Sequence, residues 1–427
     1  MSIQKDLSDL IKADIITQEA AGRILDYYKN KGSSSTNRLY IVFGILGAIL
    51  VGLGIVLITA HNWDEFSRGT KTFFAFLPLF AGQVLCGYTL FKRRDSIAWR
   101  ESSSAFLFFA VGTSIALVSQ IYNIPGDTGT FLLTWMPLCL PLVYVLNSSI
   151  TSLLYISGIT YYATYLGYWS HPSTDPYLYW ILLLAVMPHY YNLYKTKPES
   201  NFMIFHNWLI PLSVIISLGT VAKKSDELML IAYISTFGLY YLIGNLDFFT
   251  RQKLINNGFK VLGSLGTISL LLALSFDWLW EELRSKGFAF NDIITAPEFY
   301  ASAIISFLAG ILLYLQQKNK SLFDIHPLAP VFILFIAVFI IGMSSPIAVV
   351  LINLLVFAIG ILTIKDGAKQ DNLGILNFGL LIITALVVSR FFDTDLSFVI
   401  RGLLFMSVGI GFFVANYWLL KKRKTNE

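Results

Sequence analysis

The sequence predicts an all-α protein, built as a polytopic bundle of transmembrane helices. Of its 427 residues, 56% are hydrophobic and only 13% are charged, and the mean hydropathy is +0.65. Soluble domains average roughly 45–50% apolar and about 25% charged residues, so a soluble fold of this composition would lack the polar surface that it needs. From Leu39 onward, apolar runs long enough to cross a bilayer recur between short polar breaks.

The polar segment before these runs predicts a small cytoplasmic helical hairpin and linker at residues 1–38. Residues 2–14 and 17–31 read as its two helices, and Thr17 is placed to cap the second one. Residues 32–36, Gly-Ser-Ser-Ser-Thr, form a flexible linker into the membrane. A hairpin of this size suits dimerisation, membrane docking or a cytoplasmic partner, and a local packing role explains it equally well.

About fourteen membrane spans follow, counted from apolar runs near the usual length of about 17–25 residues. They lie near 39–60, 71–91, 103–122, 130–147, 150–169, 177–194, 205–222, 228–245, 258–277, 299–317, 327–343, 346–364, 372–391 and 398–420. We divide them into a first six-span unit (39–194), two connecting spans (195–257) and a second six-span unit (258–420), followed by a basic cytoplasmic tail (421–427).

The positions of lysine and arginine predict how the bundle is oriented. With the N-terminus in the cytoplasm, 23 of the 31 basic residues fall on the inner side and 8 on the outer side. Cytoplasmic loops carry the excess of basic residues in membrane proteins. Both termini are therefore predicted to face the cytoplasm.

The first and last six spans share several features in the same order. Phe43-Gly-Ile-Leu-Gly47 corresponds to Leu262-Gly-Ser-Leu-Gly266, and each of these spans ends in an acidic segment that contains tryptophan. Eight spans separate the copies, which predicts a parallel internal repeat, and transporters often place a substrate site between repeats. Membrane helices also share composition, so chance similarity explains the same features and both interpretations stay open.

Polar residues gather where spans end on the predicted outer side. A site for a small polar or lipid-linked ligand is the functional interpretation, and an ordinary polar belt at the membrane interface is the alternative. The candidate ligand-binding residues are His61, Asn62, Asp64, Gln120, Asp127, Asp277, Arg390, Asp393 and Arg401. Two aspartates lie between Arg390 and Arg401, so local ion pairs are another way to satisfy these arginines.

Little chemistry is predicted inside the bilayer. His189 is the clearest ionisable residue within a span, and a hydrogen bond to a neighbouring backbone carbonyl is its simplest explanation. Cys86 and Cys139 lie within apolar runs and read as small core residues. The common nucleotide-binding, metalloprotease and hydrolase motifs are missing from the sequence, so we predict no catalytic residue, cofactor, metal or nucleic-acid partner.

Several short motifs in the first third of the chain resemble a bacterial family of predicted membrane proteins, domain of unknown function 2157. They are Ile-Ile-Thr-Gln-Glu-Ala-Ala at 15–21, Ile-Leu-Asp-Tyr-Tyr at 24–28, Ala-His-Asn-Trp-Asp at 60–64 and Gln-Ile-Tyr-Asn-Ile-Pro-Gly-Asp at 120–127, before Trp135. The resemblance covers roughly residues 5–150. It implies a bacterial cytoplasmic membrane location, and it supplies no activity, cofactor or catalytic residue.

Three functions are therefore weighed. The span count and the predicted repeat favour a secondary transporter or a translocator of lipids or carrier lipids. A membrane enzyme that acts on a lipid-linked substrate is the second interpretation, with Asp64 and Glu65 as its candidate base or metal ligand, although that loop is short for such a site. The third is a membrane scaffold or sensor that recruits a cytoplasmic partner through the N-terminal hairpin.

Overall fold

The structure is a computed structural model that describes residues 63–169, 176–285, 290–318 and 325–391, with parts of 7–26 and 397–414. All secondary structure in these ranges is helical, and they contain no strand. The chain divides into two units, residues 1–76 and residues 77–427. The fold class predicted from the sequence is confirmed for the described residues.

The described part of the N-terminal hairpin agrees with its prediction. Residues 13–16 form a turn, where Asp14 has a left-handed φ of 56°, and residues 18–24 are helical. The Thr17 hydroxyl accepts a hydrogen bond from the backbone N–H of Ala20 at 3.3 Å, as expected of an N-cap. The predicted linker lies outside the described residues.

The described membrane region consists of helices. The helices, apart from segments of one or two turns, are α1 (Arg68–Lys92), α2 (Ile97–Tyr122), α3 (Thr128–Val145), α4 (Ser149–Thr164), α5 (Leu178–Thr196), α6 (Asn201–Leu218), α7 (Met229–Gly244), α8 (Gly258–Ala273), α9 (Asp277–Ser285), α10 (Pro297–Gln317), α11 (Val331–Gly342), α12 (Ile347–Lys369) and α13 (Leu373–Phe391). A π-helical turn, Tyr165–Trp169, continues α4.

Each predicted span from 71–91 to 372–391 coincides with one of these helices. Helix α9 has no predicted span of its own. Within the described residues, eight helices are long and apolar enough to cross a membrane, and α8 with α9 makes a ninth if that bent pair is one broken span. The predicted spans 39–60 and 398–420 lie wholly or partly outside the described residues. The first copy of the predicted repeat begins in 39–60, so the repeat stays a prediction.

Polar residues set the helix boundaries. The N-caps of α3, α4, α6 and α8 are Asp127, Ser148, Ser200 and Asn257. Each side chain accepts a hydrogen bond from the backbone N–H three residues on. Asn123 ends α2 in a left-handed conformation, with φ 52°. These caps satisfy backbone groups that the bilayer would leave without a partner.

The bend between α8 and α9 is also satisfied from within the protein. The two helices meet at 78°, which exposes backbone carbonyls at the end of α8. The indole N–H of the fully buried Trp280 donates to the Leu274 carbonyl at 2.8 Å, and the Asn353 amide donates to the Ser275 carbonyl at 3.0 Å. Broken helices at membrane depth need such internal partners.

Hydrogen bonds between turns identify one end of the bundle, which we call the basic face. Glu101 near the start of α2 contacts the start of α4, Asn192 of α5 contacts Asn147 in the α3–α4 turn, and Trp208 of α6 contacts the α7–α8 connection. Most basic residues of the described connections lie at this end: Lys92, Arg93, Arg94, Arg100, Lys195, Lys197, Arg251, Lys253, Lys260, Lys318, Lys365 and Lys369.

Candidate binding cavity

A cavity of about 440 Å³ lies at the basic face within the C-terminal half of the bundle. Helices α7, α8, α12 and α13 line it, together with the α7–α8 connection and the segment before α11. Its lining residues include the apolar Phe249, Leu265 and Phe378. They also include charged and amide residues, so the cavity is lined by both apolar and polar side chains.

Glycines bring the elements of one wall together. A Cβ on Gly244 would lie 2.6 Å from the backbone N of Lys260, and a Cβ on Gly263 would lie 2.5 Å from the backbone N of Tyr241. Helices α7 and α8 therefore cross at backbone contact, as small residues allow in membrane bundles. This crossing places Lys260, on the first turn of α8, beside the end of α7.

Lys260 supplies the positive charge of the cavity. Its ammonium group donates to the Asn245 side-chain oxygen at 2.8 Å and lies 5.8 Å from the centre of the Tyr241 ring. The side chain is half-buried. An ammonium group has three donors, and these contacts leave room for an anionic group of a ligand.

Asp366 supplies the negative charge from the last turns of α12. Its carboxylate lies 3.3 Å from Nδ1 of His326 and accepts a hydrogen bond from the Gln370 side chain at 2.8 Å. The same carboxylate acts electrostatically on the Lys260 ammonium. The cavity thus holds a cation and an anion on neighbouring elements, with an imidazole next to the anion.

Two buried oxygen atoms on the cavity wall have no hydrogen-bond partner among the described residues. They are Oγ1 of Thr363, whose residue is 5% exposed, and Oε1 of Gln252. Nearly all buried polar groups in proteins are satisfied. Because both residues line the cavity, water or a bound molecule there is the natural partner for these atoms.

Three of the outer-face candidates lie outside the described residues: His61, Asn62 and Asp393. Asp64 is exposed in a short 3-10 turn, Trp63–Glu65. Gln120 is exposed near the end of α2.

Two of the described outer aspartates, Asp127 and Asp277, are satisfied within their own helices. Asp127 accepts from the backbone N–H of Thr130 at 2.7 Å, and this hydrogen bond holds the pKa of its carboxyl below the ordinary value. Asp277 pairs with Arg284 at 3.2 Å along α9. Both carboxylates therefore have a partner within the protein.

The two arginines of the predicted site contact aromatic rings. The Arg390 guanidinium lies 4.4 Å from the centre of the Phe276 ring and donates to the Ser275 hydroxyl at 3.0 Å, so it braces the α8–α9 bend. Arg401 lies 5.1 Å from the centre of the Phe398 ring. Among the described candidates, Arg390 lies near Asp277, because it contacts the two residues before it, Ser275 and Phe276. Arg401 in turn lies 5.8 Å from the centre of the Phe391 ring, the residue after Arg390.

His189 is buried, as its place in a span predicted, and the structure adds a second histidine that the sequence analysis did not single out. His206 of α6 lies with its ring centre 5.9 Å from that of His189. His206 bonds to the Phe202 carbonyl at 2.7 Å and to the Ser152 hydroxyl at 2.9 Å, while His189 lies 3.3 Å from the Ser149 hydroxyl. Hydrogen bonds to serines on α4 therefore anchor both rings.

The sequence analysis also missed Lys260, His326 and Asp366 as site residues. In the sequence, Lys260 is one of the basic residues whose positions predict the orientation of the bundle. The other two are single polar residues near span ends. A signal was present in the Asn-Asn-Gly at 256–258, which predicts a turn that places Lys260 at the start of a helix. The contacts among the three elements arise only when the helices pack.

Comparison with known proteins supports the resemblance seen in the sequence. A family model described as Predicted membrane protein (DUF2157) matches residues 8–152, about a third of the chain. The search of curated proteins and the search of solved structures each found no match. The family description and the apolar helices together identify a membrane protein with several candidate spans.

Proposed function

We propose that this protein is a secondary transporter, or a translocator of a lipid or carrier lipid, and that the cavity at the basic face is its binding site. The cavity itself carries the proposal, because it combines opposite charges and unsatisfied buried polar atoms inside a bundle of apolar helices. Its volume of about 440 Å³ falls in the range of about 300–1,000 Å³ typical of ligand sites.

The distribution of basic residues favours a cavity that opens toward the cytoplasm. The basic face carries the lysines and arginines that the positive-inside rule assigns to the cytoplasmic side. A transporter with its site open on that side would be in an inward-facing state. The opposite face, where the sequence predicted a polar or lipid-linked ligand, would be the exit or entry side.

The charges favour a ligand with two poles. An anionic group would bind Lys260, a cationic or hydrogen-donating group would bind Asp366, and an apolar part would lie against Phe378 and its neighbours. Zwitterionic small solutes and zwitterionic lipid headgroups share this chemistry. A ligand that binds with both poles would compensate the charges of Lys260 and Asp366. Charged groups without a partner are energetically costly inside a bilayer.

The geometry favours binding over hydrolysis. Asp366 and His326 form a carboxylate–imidazole pair, and Ser264 lines the same cavity. The Ser264 hydroxyl, however, donates to the Lys260 carbonyl of its own helix at 2.7 Å. In the described part of the chain the pair therefore has no nucleophile in contact with it, whereas a hydrolytic triad requires one.

Three probes with the same apolar body test this proposal. Phenylalanine carries both charges, phenylacetate only the negative one and phenethylamine only the positive one. Thermal unfolding of the purified full chain in lipid–detergent micelles is measured with each probe. Phenylalanine is expected to raise the unfolding temperature most, because it alone engages both Lys260 and Asp366.

Variants identify the site of binding. Lys260→Met and Asp366→Asn each remove one charged contact of about 1.5–3 kcal/mol, so each should weaken binding at least about tenfold. Lys365→Gln is the matched control, because Lys365 is exposed on α12 and does not line the cavity. Equal shifts with all three probes, or equal losses in the control, would show that the cavity is not the site.

A further inference from the structure

A second, smaller cavity of about 110 Å³ lies at the basic face in the N-terminal half of the bundle. It is enclosed by the end of α1, the α1–α2 turn, the start of α2 and the α3–α4 turn. It shares no lining residue with the larger cavity. Its charged lining residues are two arginines, Arg94 and Arg100.

Neither arginine is paired with a carboxylate in the described part of the chain. The adjacent acid Glu101 is committed elsewhere, because its carboxylate accepts from the backbone N–H groups of Ser149 and Ile150 at 3.0 and 2.8 Å. It also accepts from the Ser148 hydroxyl at 2.6 Å. No carboxylate among the described residues therefore pairs with the positive charge of the cavity.

One donor in this cavity is buried and unsatisfied. Nε of Arg100 has almost no solvent exposure and no hydrogen-bond partner among the described residues. A buried charged donor without an acceptor is unfavourable, because the Nε–H has lost water and gained no partner among the described residues. An anion in the cavity would supply the missing acceptor.

The α3–α4 turn adds a neutral donor. Asn147 holds a left-handed conformation, with φ 48°, and lines the cavity. Its side-chain oxygen accepts from Asn192 at 3.4 Å, which leaves its amide N–H₂ as a donor. Two guanidinium groups and an amide match the several oxygen atoms of a phosphate, which arginine recognises through paired N–H groups.

The surroundings indicate where such a phosphate would come from. The cavity lies at the ends of membrane helices on the basic face, where a bilayer would place its lipid headgroups. On the adjoining surface, Tyr88 and Trp99 contact each other with ring centres 5.3 Å apart, and Phe91 is 87% exposed. Exposed aromatic rings at this level are typical of residues that anchor in the bilayer interface.

We propose that this cavity binds the phosphate of an anionic membrane phospholipid, held between Arg94 and Arg100, with its acyl chains along the aromatic surface of α1 and α2. The bound lipid would neutralise the unpaired charge and fix the α1–α2 turn against the α3–α4 turn. This site is independent of the proposed transport function.

Lipid titration of the full chain tests the proposal. The protein in neutral detergent is titrated with phosphatidylglycerol, phosphatidylcholine or inorganic phosphate, and bound lipid is measured by native mass spectrometry together with thermal unfolding. Phosphatidylglycerol should bind and raise the unfolding temperature, while phosphatidylcholine should bind at least about tenfold more weakly, because its choline repels the arginines.

Matched arginine variants identify the site. Arg94→Gln and Arg100→Lys should each weaken phosphatidylglycerol binding about tenfold or more, because each removes charge-assisted hydrogen bonds. Arg93→Gln, in the same turn but outside the cavity lining, should bind like the parent protein. Equal loss in all three variants would overturn the proposal, and so would binding of inorganic phosphate as strong as that of the lipid. Arg100→Lys keeps the charge, so it separates recognition from folding.

Discussion

The carboxylate of Glu101 is expected to hold the start of α4 in place, and its removal is the most sharply defined perturbation in the structure. Glu101 is 5% exposed, and its two oxygens bind three groups at the beginning of α4: the Ser148 hydroxyl and the backbone N–H groups of Ser149 and Ile150. The first N–H groups of a helix have no acceptor within the helix. The Glu101 carboxylate supplies the acceptor for two of those in α4.

The magnitude of the loss follows from these contacts. Glu101→Ala leaves one buried and one partly buried backbone N–H group unsatisfied. At up to about 1–3 kcal/mol each, this predicts a destabilisation of about 2–4 kcal/mol. The Ser148 hydroxyl adds little, because it keeps contacts with Ser104 and Thr151. Glu101→Gln retains one acceptor oxygen and should lose about half as much.

Unfolding of the purified protein by sodium dodecyl sulfate in mixed micelles gives the free energies, and hydrogen exchange locates the change. Exchange should accelerate at residues 149–151 and stay unchanged in the middle of α6. Glu199→Ala is the control, since Glu199 is exposed in the α5–α6 turn at the same face. A Glu101→Ala protein within about 0.5 kcal/mol of the parent, the range of ordinary surface substitutions, would refute the reasoning.

Two further predictions concern packing and pH. Gly342→Ala should destabilise the protein by about 1–3 kcal/mol, because a Cβ there would lie 2.1 Å from a ring carbon of Trp280. Gly310→Ala is the control, because a Cβ there would meet open space. In the same unfolding titration it should be neutral or slightly stabilising. The hydrogen bond from Thr130 lowers the pKa of Asp127 below its ordinary value of 3.8, so its stabilising contribution is present above that value and is lost as pH falls through the lower, folded-state pKa. Unfolding temperatures measured between about pH 2 and pH 6 should show this loss in the parent and not in Asp127→Asn; identical profiles would contradict it.

The helices could be predicted from sequence because each apolar run carries its own signal. The span placed at 372–391 is observed as α13, Leu373–Phe391, because hydropathy and its polar boundary both depend on local residues. The segment predicted as one span at 258–277 instead ends at Ala273 and continues as α9 after a bend. That bend depends on Trp280 and Asn353 reaching back to α8, and neither contact is visible along the chain.

The cavity was not predictable for the same physical reason. Lys260 and Asp366 lie more than a hundred residues apart, and each looks like an ordinary charge at a helix end. The position of Lys260 depends on the backbone crossing of α7 and α8 at Gly244 and Gly263, and Asp366 reaches the cavity from α12. The outer-face site is predicted because several polar side chains cluster along the sequence there. In the structure one of them, Asp127, caps a helix. The site predicted at that face stays a prediction.

The central claim is that the cavity is a solvated site open on the cytoplasmic side. The most direct measurement is the reaction of Thr363→Cys with a small, membrane-impermeant methanethiosulfonate in inside-out and right-side-out vesicles, with Asn372→Cys as the control in the cavity lining. The native cysteines, Cys86 and Cys139, are buried. The account predicts modification of both variants in inside-out vesicles only. Modification only in right-side-out vesicles, or of Asn372→Cys alone, would contradict it.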